Sequence, residues 1–206
     1  MSFLTCSRWA LLSLVLSAAW LFPLAVWGDS ICDIPGNLVV NCGFESGDFT
    51  GWTLGSNWNN NYVDSYAAHS GNYGADLWQI GSEFGGSDTT LSQFVGGNSN
   101  MYFVSFWLRN PSGGTNDFTV FWNGVDVGPH VVDAPNFEWH LFFGWVNGNA
   151  GAGSNSLEFV FSQVVGHQWQ LDDVAVQVVQ GPNVSRTGQP NIARHRTCGL
   201  GWRSAP

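Results

Sequence analysis

An all-β fold, a two-sheet antiparallel jelly-roll sandwich, is what this sequence predicts, on three observations. Apolar residues come in short runs that alternate with polar ones, the period-two signature of half-buried strands. Clusters of Gly, Asn, Ser and Pro punctuate those runs throughout. No helical stripe of useful length survives between the clusters, and about ten runs at roughly ten-residue spacing fit a jelly roll.

In chain order, strands are expected near Leu38–Asn41, Gly51–Leu54, Tyr62–Ser65, Tyr73–Leu77, Thr90–Val95 and Tyr102–Arg109. Further ones are expected near Asp117–Trp122, Glu138–Val146, Ser156–Ser162 and Trp169–Val179. The alternation is clearest in the sixth. Phe103, Ser105, Trp107 and Arg109 fall on one face, and Tyr102, Val104, Phe106 and Leu108 on the other. The loops between strands are rich in glycine and asparagine, as at Gly55–Asn61, Gly81–Ser87 and Asn147–Asn155. No internal repeat of fixed period is present.

Residues 1–28 stand apart from this pattern. A weakly basic start leads into an apolar run from Trp9 to Val26, and small residues precede the polar Asp29-Ser30. That layout is a secretory signal peptide, so a secreted, extracellular or cell-surface protein is expected. The alternative is an uncleaved membrane anchor, because the run approaches the ~20 residues that span a bilayer. Pro23 and the single basic flank favour cleavage, after which no stable membrane insertion is expected. Residues 29–180 form the expected folded domain. Residues 181–206 lack strand alternation, hold four arginines and read as a disordered basic tail.

Charge narrows the partners. All fifteen acidic residues lie between Asp29 and Asp173, against one basic side chain, Arg109, and the chain has no lysine. That stretch therefore carries a net −14. Such a surface repels phosphate backbones and anionic lipid, which excludes nucleic acid and leaves neutral sugars and divalent cations. Of the four cysteines, Cys6 leaves with the signal and Cys198 is odd. Cys32 and Cys42 are expected to form a disulfide in the oxidising compartment that export implies. A metal site is the competing reading, but no Cys-x-x-Cys spacing supports it.

Three segments carry a family resemblance: N-L-V-V-N-C-G-F-E-S-G-D-F-T-G-W-T at 37–53, H-S-G-N-Y-G-A-D-L at 69–77 and W-Q-L-D-D-V-A-V at 169–176. The chain resembles bacterial secreted jelly-roll domains, galactose-binding-like in architecture. These include the carbohydrate-binding modules of xylanases and glucanases and the extracellular domains of PEP-CTERM-type proteins. The likeness spans about 37 to 178. In those modules the Glu and Asp matching Glu45 and Asp172 help hold a structural calcium, with backbone carbonyls near Gly71–Asn72. The resemblance thus implies a calcium at Glu45, Asp172 and Gly71. Cys42 stands where relatives carry glycine. The Pro-Glu-Pro segment, short helix and basic tip of PEP-CTERM proteins do not follow Val179, and an arginine-rich tail in their place is what a shifted reading frame would produce.

The residues themselves give related expectations. Asp172 shares the parity of Val174, Val176 and Val178, so its carboxylate should tilt to the buried face, where it needs a partner or a cation. Capping of turns through backbone N–H groups is the alternative for both Glu45 and Asp172. Asp173 is expected to face solvent. Eight tryptophans lie between 29 and 180. Trp52, Trp107 and Trp169 sit inside apolar alternation and are expected to pack. Trp58 lies among asparagines with Tyr62 close behind, the setting of an exposed platform on which a sugar ring stacks, and Trp78 and Trp122 are weaker candidates. A tryptophan folded under its own loop is the plain alternative for Trp58.

Catalysis finds no support. There is no Gly-x-Ser-x-Gly elbow and no His-Glu-x-x-His pair, and the acids are scattered. The function expected is a secreted non-catalytic module that binds polysaccharide or another glycan. The competing one is a structural or adhesive surface protein without a sugar site. One expectation is directly testable: alkylation without reduction should leave Cys32 and Cys42 unmodified in the mass spectrum, and labelling of both would disprove the bridge.

Overall fold

The computed structural model describes residues 30–55, 61–78, 89–97, 101–149, 153–163, 167–179 and 202–205. It is an antiparallel jelly roll of two sheets packed face to face. The first sheet runs β1 (Thr53–Leu54), β4 (Thr89–Gly96), β10 (Ser154–Gln163), β6 (Asn116–Trp122) and β7 (Val125–Asp126), with β8 (Val131–Val132) also paired to β6. The second runs β12 (Arg203–Ala205), β9 (Phe137–Asn147), β5 (Met101–Asn110), β11 (Gln168–Val178), β3 (Gly74–Trp78) and β2 (Tyr62–Asp64).

Alternation decides which side chains meet between the sheets. Tyr102, Val104, Phe106 and Leu108 of β5 are fully buried, and so are Leu157 and Phe159 of β10. Phe106 packs edge-on to Phe159 with ring centroids 5.1 Å apart and lies 5.8 Å from Phe118. Trp169 is buried as expected, and its indole N–H reaches the carbonyls of Asp117 at 3.1 Å and Ser162 at 3.2 Å on the opposite sheet. A ring that large buries well only because its one polar atom is satisfied. Trp52 is buried too, stacked on Phe44.

Nine of the ten expected strands form, with ends within a few residues of the expected ones. The exception is Leu38–Asn41, which is a turn. Side chains take the place of a strand neighbour there. Gln93 accepts from the Val40 N–H at 2.7 Å and donates to the Val40 carbonyl at 3.0 Å, and Asn37 accepts from the Val39 N–H. Asn41 then turns into the left-handed region, with φ of 52°.

The tail expectation needs correction at its end. Trp202–Ala205 is ordered on the second sheet, with Arg203, Ser204 and Ala205 opposite Phe143, Phe142 and Leu141. Trp202 packs against the core, 5.6 Å from Phe106. Gly144 makes this possible, because a Cβ there would lie 2.9 Å from the indole. The polar composition of the tail hid one large apolar side chain, Trp202.

Gln93 is buried and holds both backbone polar groups of one residue, Val40. Gln93→Ala should therefore cost about 1–3 kcal/mol. In guanidinium titrations the midpoint should fall with an unchanged slope, and an unchanged midpoint would show that water replaces Gln93 freely.

Candidate functional site

The L-D-D-V segment is the point from which the site is built. Asp172 pairs with Trp107 and Ala175 with Ser105, so Asp173 and Val174 together oppose one residue of β5. This is a β-bulge, and Asp173 adopts a φ of 50° within it. The bulge resets the parity. Asp172 is therefore on the face of Trp107 rather than that of Val174, contrary to the simple alternation, yet it is fully buried. Asp173, expected to face solvent, is fully buried as well.

The stretch 69–73 covers both. Asp172 Oδ2 accepts from the N–H groups of His69 at 2.8 Å and Ser70 at 3.1 Å, while its Oδ1 accepts from Asp173 N–H at 2.7 Å. Asp173 accepts from the hydroxyls of Ser30 and Ser70, and its Oδ2 lies 2.8 Å from His69 Nδ1. At the other end of the stretch, Glu45 accepts from the N–H groups of Asn72 at 2.8 Å and Tyr73 at 2.9 Å and from the Asn72 side chain at 3.1 Å. Gly71 sits between, with φ of 65°, where a Cβ would strike the Glu45 carboxylate. The Cys32–Cys42 disulfide closes over the same region, with Cα atoms 5.7 Å apart.

Glu45, Gly71 and Asp172 are thus brought together, but as caps. Each carboxylate spends three of roughly four lone-pair positions on N–H donors, whereas calcium asks for about six to eight oxygens. Among the described residues, no three His, Cys, Asp or Glu side chains gather where one ion could touch them all. In this arrangement both carboxylates serve as caps for the stretch 69–73.

On the same outer face, register places four side chains in a row across the second sheet: Tyr62 of β2, Asp76 of β3, Gln170 of β11 and Arg109 of β5. Tyr62 is exposed, while Asp76 and Gln170 are buried. Arg109 donates to Gln170 at 3.1 Å, pairs with Glu138 at 2.9 Å and lies over the exposed ring of Tyr66 at 5.8 Å. Against its burial, side-chain hydrogen bonds with Trp78 and Gln170 lower the Asp76 carboxyl, while the buried Asn61 Nδ2 beside them has no hydrogen-bond partner. Trp78 flanks the row, and the Asn61 side chain accepts from its backbone N–H at 2.8 Å. Beside the row, Trp107 is half-buried on this face rather than in the core, with His69 stacked on it at 3.9 Å and Trp139 edge-on to His69 at 5.4 Å.

Of the residues expected to meet sugar, Tyr62 and Trp78 therefore share this region. Trp122 does not. It is a core residue, 3% exposed, packed on Tyr102 with its indole N–H bonded to the Asn147 carbonyl at 2.7 Å. Trp58 lies outside the described residues. Asp76 and Gln170 carry no sign in the sequence of belonging to a site, and Arg109, although strand parity places it on one face with Trp107, is not joined to them there.

Burial, with Asp64 nearby, pushes the Asp76 carboxyl up to about 6. Burial, and then the charge of Asp173, pushes Asp172 up to about 8 despite its N–H donors. Both folded values lie above the unfolded one, so the native state binds more protons between them. The stability these groups contribute is complete below about pH 4 and is lost as pH rises through about 6 and then about 8. Denaturation across pH 4–8 should show this decline, and Asp76→Asn should flatten its lower half; an identical pH profile would contradict the buried, raised carboxyl. EGTA should leave the melting temperature unchanged if the carboxylates only cap the loop, and a drop would reveal a bound cation.

No family model matches the chain, and neither does any curated protein. Solved structures do. The chain is similar to a family 61 carbohydrate-binding module determined in complex with β-1,4-galactotriose, at a TM-score of 0.54 and 21% identity over 69% of this chain and 99% of that one. It is also similar to the CBM22-1 xylan-binding domain of Paenibacillus barcinonensis Xyn10C, at 0.51 and 16% over 71% and 97%. At these identities the likeness establishes the jelly-roll fold.

Proposed function

We propose that this chain is a secreted, non-catalytic module that binds a neutral polysaccharide along the outer face of its second sheet. The observation that carries the reading is the pair of exposed rings, Tyr62 and Tyr66, on the outer face of the second sheet, with Arg109 beside Tyr66 and the half-buried Trp107 on the same face. Sugar hydroxyls both donate and accept, and the accessible Arg109–Glu138 pair offers a donor and an acceptor to them. Tyr62 and Tyr66 supply exposed rings for the apolar faces of the sugars. The net −14 of the domain suits an uncharged chain rather than an anionic one. The fold neighbours add support, since one was solved with a galactotriose and the other is described as xylan-binding.

Binding to galactan and xylan, measured by affinity electrophoresis and titration calorimetry, tests this. Stacking on an aromatic ring is worth on the order of 1–2 kcal/mol, by analogy with other platforms, so Tyr62→Ala should weaken affinity roughly 5- to 30-fold. Its melting temperature should stay nearly constant, because Tyr62 is 54% exposed. A chain that retains no polysaccharide at millimolar sugar is a structural or adhesive spacer instead.

A further inference from the structure

At the opposite edge of the second sheet from Tyr62 lies a cleft of about 680 Å³. Four strand spacings separate β9 from β2, roughly 19 Å, so the two places are distinct. The cleft opens between the β6–β7 hairpin and the end of β9, and its lining includes Trp122, Val125, Asp126, Trp145, Asn147 and Trp202. Its volume falls within the range of about 300–1,000 Å³ usual for small-molecule sites.

The chemistry of the lining is mixed in a particular way. Indoles and valines offer apolar walls, and Trp122 is locked in place by its bond to the Asn147 carbonyl. The Asn147 side chain is exposed at the rim. Asp126 stands there as well, its carboxylate accepting from Gly128 N–H at 3.0 Å and lying 3.2 Å from His130 Nε2. Apolar faces with an amide and a carboxylate at the margin match a sugar ring, whose C–H faces are apolar and whose hydroxyls lie around its edge.

One wall comes from the end of the chain. Trp202 enters over Gly144, where a Cβ would lie 2.9 Å from the indole, and its edge comes beside Gly128. The β12 ladder on β9 holds it there.

We infer that this cleft is a second sugar site, separate from the outer face, and that the C-terminal strand completes it by delivering Trp202. The choice of a sugar as ligand rests on the function proposed above; the cleft itself does not. Its half-open shape takes a single unit or a chain end, while the outer face takes the side of a polymer. One chain would then engage two glycans at once.

Titration of the full chain with β-1,4-galactotriose and with xylotriose tests the inference, with Tyr62→Ala, Val125→Arg and Trp202→Ala alongside. Val125 is 63% exposed, so arginine there fills the cleft without disturbing the core. Two sites are expected in the unaltered chain. Val125→Arg should abolish the cleft site alone, Tyr62→Ala should spare it, and Trp202→Ala should weaken it about tenfold or more. Should Trp202→Ala melt early, Val125→Arg still decides. A single site that Tyr62→Ala weakens and Val125→Arg leaves intact overturns the second site and keeps the outer face. A single site that Val125→Arg removes and Tyr62→Ala spares supports the cleft and overturns the outer face. No heat with either trisaccharide, together with no retention by polysaccharide, overturns both.

Discussion

The bulge at Asp172-Asp173 is the constraint on which the rest of the molecule depends. It places two adjacent carboxylates in the interior, and a buried carboxylate is costly unless its bonds are made. Meeting that demand organises three remote pieces of chain. Ser30 comes from the start of the domain, His69 and Ser70 from the stretch before β3, and the Cys42 carbonyl accepts from Val174 N–H beside them. The Cys32–Cys42 disulfide then fixes the first of these pieces. His69, held by Asp173, is what lies flat on Trp107 at the outer face. A single irregularity in the closing strand therefore links the chain's beginning, its interior and its candidate surface.

The fold was legible because alternation is a local property. Tyr102, Val104, Phe106 and Leu108 of β5 share one face in the sequence, and all four are inward in the structure. The failures come where a side chain replaces a backbone partner or where one residue is inserted. Leu38–Asn41 has the apolar run of a strand, but Gln93 and Asn37 make its hydrogen bonds. Parity assigned Asp172 to the core side, and the bulge moved it to the side of Trp107. Trp122 next to Asn123 looked like an exposed ring because two residues of context cannot show what covers them from the second sheet.

The candidate surface was legible only at its aromatic margin. Tyr62 and Trp78 announce themselves beside asparagine and glutamine, whereas Asp76 and Gln170 sit in stretches that read as ordinary strands. Their relation is one of register, across β3 and β11, which lie about ninety residues apart in the chain. Nothing in a single sequence fixes that register. The same limit applies to Glu45 and Asp172: a motif can bring two carboxylates close, while the atoms that reach them, here N–H groups, decide what they do.

The contact between the opening turn and β11 has a mechanical consequence. Leu38 N–H bonds to the Val176 carbonyl and Val174 N–H to that of Cys42, so the opening turn runs beside β11, while β12 lies on β9 two strands away. Tension on the two flanks would therefore enter the second sheet at different strands, peeling β12 from β9 and the opening turn from β11. The disulfide, between Cys32 and Cys42, shortens the length of opening chain that could be drawn out before the force reaches Phe44 and the core.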